Sequence, residues 1–156
     1  MTTRRLASAA LAIVLMLTAG WLWWDAHTRT AAERAGNDAL ATARESIAAM
    51  GTYRPDDAGQ VLPAARDLLT GAFLDNYTQA IQTVVIPNAT QRRMASTVTV
   101  PAAGVISAES DRAVLLAYVN QSISEGAEKP VVNPARYRVA MEKVDGRWLI
   151  AAFDQI

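Results

Sequence analysis

Residues 135–154 read ARYRVAMEKVDGRWLIAAFD. Tyr137, Val139 and Met141 alternate with Arg136, Arg138 and Glu142. That period of two predicts a strand with one wet face. Asp145-Gly146 follows, a two-residue turn in which both positions favour positive φ. The stretch is therefore an antiparallel hairpin, with strands over Ala135–Val144 and Arg147–Asp154. Upstream, Ser96–Ser107 and Arg112–Ser124 also read as strands. Arg112–Ser124 is apolar on both parities (Val114, Leu116 and Tyr118 against Leu115, Val119 and Ile123), which predicts a central strand. Pro101 with Ala102-Ala103-Gly104 predicts a bulge or bend in the first strand.

Ahead of the strands the apolar spacing is helical. Residues 25–50 carry Ala32, Ala35, Ala39, Leu40, Ala43, Ile47 and Met50 on one face. Gly36-Asn37 is expected to kink this helix, and Gly51 to end it in left-handed geometry. Thr52–Asp57 reads as a loop. A second helix is expected over Ala58–Leu69, capped by Asp57, with Val61, Leu62, Ala65, Leu68 and Leu69 as its stripe. Pro63 either marks its true start or breaks a first short turn. A third helix is expected over Ala72–Ile86, with Phe73, Tyr77, Ala80, Ile81 and Val84 sharing a face and Pro87-Asn88 stopping it. Helices followed by a meander give an α+β domain, its helices packed on a curved four-stranded antiparallel sheet. That order is compatible with the nuclear-transport-factor-2-like cone.

The chain also carries an uncharged apolar run, Leu6–Trp24, preceded by Arg4 and Arg5. As a helix it would span about 28 Å, close to the hydrocarbon core of a bilayer. A secretory signal peptide has a shorter apolar core and a small-residue cleavage site. The plausible site here, Thr18-Ala19-Gly20, is followed by Trp21, Trp23 and Trp24. Tryptophan favours the membrane interface, so an uncleaved transmembrane helix is expected. Arg4 and Arg5 place residues 1–5 in the cytoplasm. The expected organisation is then a membrane helix over 6–24, a helical stalk over 25–51 and an extracytoplasmic domain over 52–156, on the periplasmic or cell-wall side of the plasma membrane.

Composition limits what that domain does. The net charge of the 156 residues is zero, and without Arg4 and Arg5 the rest is acidic by about two charges. No basic patch exists to grip nucleic acid. Without cysteine there is no disulfide or thiolate chemistry. Much Ala, Arg and Asp with little Lys suggests a GC-rich bacterium, so the Asn-x-Ser/Thr matches at Asn76, Asn88 and Asn120 are read as chance.

Chemistry is sparse. The sole histidine, His27, lies just beyond the tryptophans, which argues against a triad or a histidine metal site. No phosphate loop or dinucleotide fingerprint occurs, and neither a metal nor a cofactor is expected. Asp56-Asp57 reads as a turn and cap. Asp154 shares parity with Trp148, Ile150 and Ala152, so it is expected to face the cone interior, where a buried carboxylate could serve as a base. Tyr77, Tyr137, Trp148 and Asp154 are the candidate cone-lining residues, with Trp148 as the core anchor of the last strand. No catalytic role is assigned to any of them.

The ordered set of Gly71-Ala72-Phe73, Ala103-Gly104-Val105-Ile106-Ser107, Arg112-Ala113-Val114-Leu115, Val119-Asn120-Gln121-Ser122, Arg136-Tyr137-Arg138-Val139 and Asp145-Gly146-Arg147-Trp148-Leu149-Ile150, behind an anchor and stalk, resembles the actinobacterial Mce-associated membrane proteins. These are accessory proteins of mammalian-cell-entry (Mce) lipid transporters. The resemblance implies a single-pass plasma-membrane protein, not an enzyme, that stabilises or assembles a complex importing fatty acids or sterols. Its implied partners are Mce transporter subunits or related accessory membrane proteins, and the bilayer. Three rivals stand beside it. One is a cone that binds an apolar lipid or steroid, another a ketosteroid-isomerase-like enzyme using Asp154 or Tyr77. The third is an inner-membrane scaffold like that of type IV secretion, which shares the anchor-plus-cone plan.

Overall fold

The computed structural model describes residues 30–156. The expected membrane helix with Trp21, Trp23 and Trp24, the topology arginines Arg4 and Arg5, and His27 all lie outside the described residues. Among the described residues no helix is long and apolar enough to cross a membrane.

Helix α1 covers residues 30–51. Its buried face is Ala35, Ala39, Ala43 and Ile47, the predicted stripe. The helix is unbroken at Gly36. That glycine serves close approach instead of a kink, because a Cβ there would lie 3.0 Å from the Ala108 Cβ. Gly51 likewise does not terminate the helix through a positive φ. A Cβ at Gly51 would stand 2.6 Å from the Val98 Cγ2, closer than any side chain tolerates. Both glycines let α1 press onto the first strand.

The second helix is shorter than expected. α2 is Ala58–Ala64, and a 3-10 turn over Ala65–Leu68 continues it. Pro63 lies inside α2. Lacking an N–H, it cannot donate to a preceding turn, and the backbone tightens just after it. Asp57 does not cap α2 with its side chain. Its carboxylate turns back and accepts from the Arg54 backbone N–H at 2.7 Å and the Arg54 Nε at 3.1 Å. Those bonds, the backbone one foremost, hold its pKa below the ordinary carboxylate value.

The third helical stretch runs past its expected end. α3 is Gly71–Ala80, a π-helical segment covers Ile81–Val85, and α4 is Ile86–Gln91. Pro87 therefore lies inside the helical run. In α geometry its ring would crowd the carbonyl four residues back; the wider π turn relieves that clash. The extra residue in the turn also rotates the apolar face. Ile81 and Ala89 are buried, whereas Val84, expected on that face, is 55% exposed.

Four strands follow: β1 Met94–Ala108, β2 Arg112–Glu125, β3 Val131–Val144 and β4 Arg147–Gln155. They form one antiparallel meander in the order β1-β2-β3-β4, with β2 central as predicted. Asp145 and Gly146 have φ of 50° and 79°, the double positive φ of the expected hairpin turn. The β1–β2 register shifts between Thr99 and Ala102, around Pro101, and again between Val105 and Ser107. The first shift is the bulge that Pro101 signalled.

One sheet face carries Val98, Ala113, Leu115, Ala117, Val119, Val139, Met141, Trp148 and Ile150 into a single core with α1 and Leu69. A smaller cluster of Ala58, Leu62, Ile81 and Ala89 joins α2 to the π segment and α4. Two short pairings fasten the helical half to the outer strands. Tyr53 exchanges backbone hydrogen bonds of 2.9 Å with Ser96 on β1, and the Thr70 N–H donates to the Ile150 carbonyl of β4 at 2.9 Å.

Candidate functional site

β2 and β3 extend past the end of α1, leaving the sheet's core face open there. The concavity has a volume of about 350 Å³, within the roughly 300–1,000 Å³ of small-molecule sites. Ile47, Met50 and Gly51 of α1 and Tyr77 of α3 form its roof. Its floor is Val119 and Gln121 of β2, Asn133, Pro134, Ala135 and Tyr137 of β3, and Phe153 and Gln155 of β4. Register explains the floor: Val119 pairs with Ala135, Gln121 with Asn133, Val139 with Phe153 and Tyr137 with Gln155.

Two of the four expected cone-lining residues are here. Tyr137 stacks on Phe153 with ring centroids 4.0 Å apart and an interplanar angle of 16°. Phe73 also approaches Phe153, with ring centroids 6.1 Å apart and the planes tilted by 35°. Tyr77 lines the roof, but its hydroxyl is engaged. It lies 3.0 Å from the Met50 carbonyl and 3.3 Å from the Leu62 carbonyl, either of which can accept its proton. These carbonyls belong to the last turns of α1 and α2, where intrahelical donors run out. Burial pushes the Tyr77 pKa up to about 12, so it stays a neutral donor.

The other two are elsewhere. Trp148 is a core anchor, as expected, but it pairs with Lys143 at the opposite end of the sheet. The Lys143 Nζ stands 5.5 Å from the ring centroid, and the indole Nε1 is buried without a hydrogen-bond partner. Asp154 does not face the interior. A bulge in β4 sets Ala140 opposite Ala152 but Met141 opposite Ile150, so one extra residue intervenes. Parity flips beyond it. Phe153 turns to the core side, and Asp154 is exposed opposite Arg138 on the outer face. The isomerase-like reading thus loses its carboxylate from the cavity.

Three lining residues, Gln121, Asn133 and Gln155, were not singled out from the sequence. Gln121 and Asn133 follow Val119 and Tyr137 in the alternation, a signal available in principle; Gln155 requires knowledge of the bulge. No charged side chain lines the cavity. Among the described residues no group of three or more His, Cys, Asp or Glu is placed to hold a metal.

The chain is 42% identical over 147 residues to the outer membrane protein Rv1973 of Mycobacterium tuberculosis, covering 94% of this chain and 91% of that protein. The chain belongs to the family of that protein. A second member, the uncharacterized protein Rv1362c of the same species, is 36% identical over 92% of this chain and 69% of its own length. No family model matches the chain. Among solved structures, an IcmL-like type IV secretion system protein of Legionella pneumophila matches with a TM-score of 0.64 at 9% identity, covering 75% of this chain and 88% of that one. The periplasmic domain of DotI matches at 0.63 and 12% identity, covering 75% and 91%. At such identities the likeness is one of fold: helices on a four-stranded antiparallel meander, shared with periplasmic domains of secretion proteins.

Proposed function

We propose that this family member is a non-enzymatic accessory protein, held in the plasma membrane by Leu6–Trp24, that stabilises or assembles an Mce-type lipid import complex. The observation that carries this reading is the near-full-length relation to a mycobacterial protein named for a membrane, on a fold that also serves as a periplasmic domain. The Mce-associated resemblance of the sequence supplies the transporter. The described sheet takes no part in this attachment as proposed. Its four strands form an open meander, whereas membrane-spanning sheets close into barrels of eight or more strands. In the proposed reading, attachment falls to the apolar run Leu6–Trp24. Fixing the domain at the bilayer raises its effective concentration near membrane partners, so a weak interface suffices.

A second reading, a scaffold in a type IV-like secretion assembly, is favoured by the fold likeness alone. Purifying the tagged full chain from membranes under mild detergent separates the two. Enrichment of Mce subunits supports the first; enrichment of secretion ATPase and channel components without Mce subunits overturns it. Fractionation supplies a further check, because recovery solely with outer-membrane material contradicts a plasma-membrane anchor.

A further inference from the structure

The cavity at the open end of the sheet grades from apolar to polar along its length. Its inner wall includes Ile47 and Val119, which are 1% and 5% exposed, beside the Tyr137–Phe153 stack. Its rim carries the carboxamides of the cross-strand pair Gln121 and Asn133, and of Gln155. The Gln121 Nε2 donates to the Ser96 Oγ at 3.1 Å, so the acceptor oxygen of that carboxamide is not used in this bond. The Asn133 and Gln155 side chains are exposed at the mouth.

A carboxamide both donates and accepts, so this rim matches a hydroxyl or another neutral head group. An ionised carboxylate would surrender its hydration without meeting a cation, because no Lys, Arg or His lines the site. We propose that the cavity binds a neutral, hydroxyl-bearing amphiphile with a single apolar body, and rejects the ionised acid of the same chain. The apolar body lies against Ile47, Val119 and Phe153, and the hydroxyl among the three carboxamides. This selectivity goes beyond the accessory role and stands without it, since it rests on the cavity alone.

Photolabelling of the full chain in phosphatidylcholine nanodiscs tests it, using diazirine-bearing hexadecanol and the matching hexadecanoic acid at equal bilayer loading and about pH 9, where the acid is ionised even though the bilayer surface raises its pKa. The alcohol is expected to label cavity peptides saturably, with competition by unlabelled hexadecanol. The ionised acid should label them roughly tenfold less. Ala135→Trp, which fills the floor, should reduce alcohol labelling to background. Gln155→Lys changes only an exposed rim position, so it keeps the test decisive if the tryptophan variant fails to fold. It should raise labelling by the acid roughly tenfold, by supplying the missing charge. Equal labelling by both probes, labelling confined to peptides outside the cavity, no labelling by the alcohol, or an unchanged acid signal in Gln155→Lys would each overturn the proposal.

Discussion

Single residues fix how closely the helices meet the sheet. Gly51 is the sharpest case, since any side chain there collides with Val98. Gly51→Ala should destabilise the domain by about 1–3 kcal/mol through overpacking, read as a lower denaturant midpoint at unchanged slope. Gly36→Ala meets Ala108 at 3.0 Å and should cost less. Tyr77 acts by another route, with one hydroxyl serving the ends of two helices. Tyr77→Phe should cost about 1–3 kcal/mol, because a buried carbonyl loses its donor. Its raised pKa adds a pH signature. The folded state holds the phenolic proton more tightly than the unfolded chain, so the stabilisation is complete below pH 10. It is lost as pH rises toward about 12. Burial raises the Tyr53 pKa in the same direction. An alkaline unfolding titration followed by circular dichroism should show Tyr77→Phe with a weaker pH dependence over that window. An identical pH dependence in both proteins would remove Tyr77 from this role.

At the scale of elements, the bulge in β4 decides which side chains reach the cavity. Asp154→Asn should leave stability within about 0.5 kcal/mol of the parent, as for most exposed surface positions. Phe153→Ala removes the ring stacked on Tyr137 and should cost several-fold more, about 3 kcal/mol. Thermal unfolding of both variants ranks them; the reverse order would restore Asp154 to the interior. The strand order, the Asp145-Gly146 turn and the α1 stripe were legible in the sequence because each rests on local chemistry or on simple periodicity. The β4 parity was not, since a bulge inserts no distinctive residue: Ala151 and Ala152 look alike from the sequence. Pro87 misled for a similar reason. Proline stops an α-helix, but the π turn before it is a tertiary accommodation. The close-approach roles of Gly36 and Gly51 depend on β1, which follows more than forty residues later in the chain. Of the site, Tyr77 and Tyr137 were legible as aromatics on core-facing positions. The carboxamide rim was not, because isolated Gln and Asn residues carry no motif.

For the whole molecule, the described domain offers a fold and a neutral cavity, and the proposed anchor over residues 6–24 would offer an address. Neither alone explains an assembly role. In the proposed function tethering supplies the link, because it would confine a modest interface to the membrane plane. The central claim is thus that the domain must be both present and anchored for its partner complex to persist. Quantitative mass spectrometry of Mce subunits in membranes from a deletion strain tests this directly. The strain would be complemented either with the full chain or with the domain exported free of residues 6–24. Subunit abundance is expected to fall in the deletion strain, to recover with the full chain, and to stay low with the released domain. Unchanged abundance in the deletion strain, or full recovery with the released domain, would contradict it.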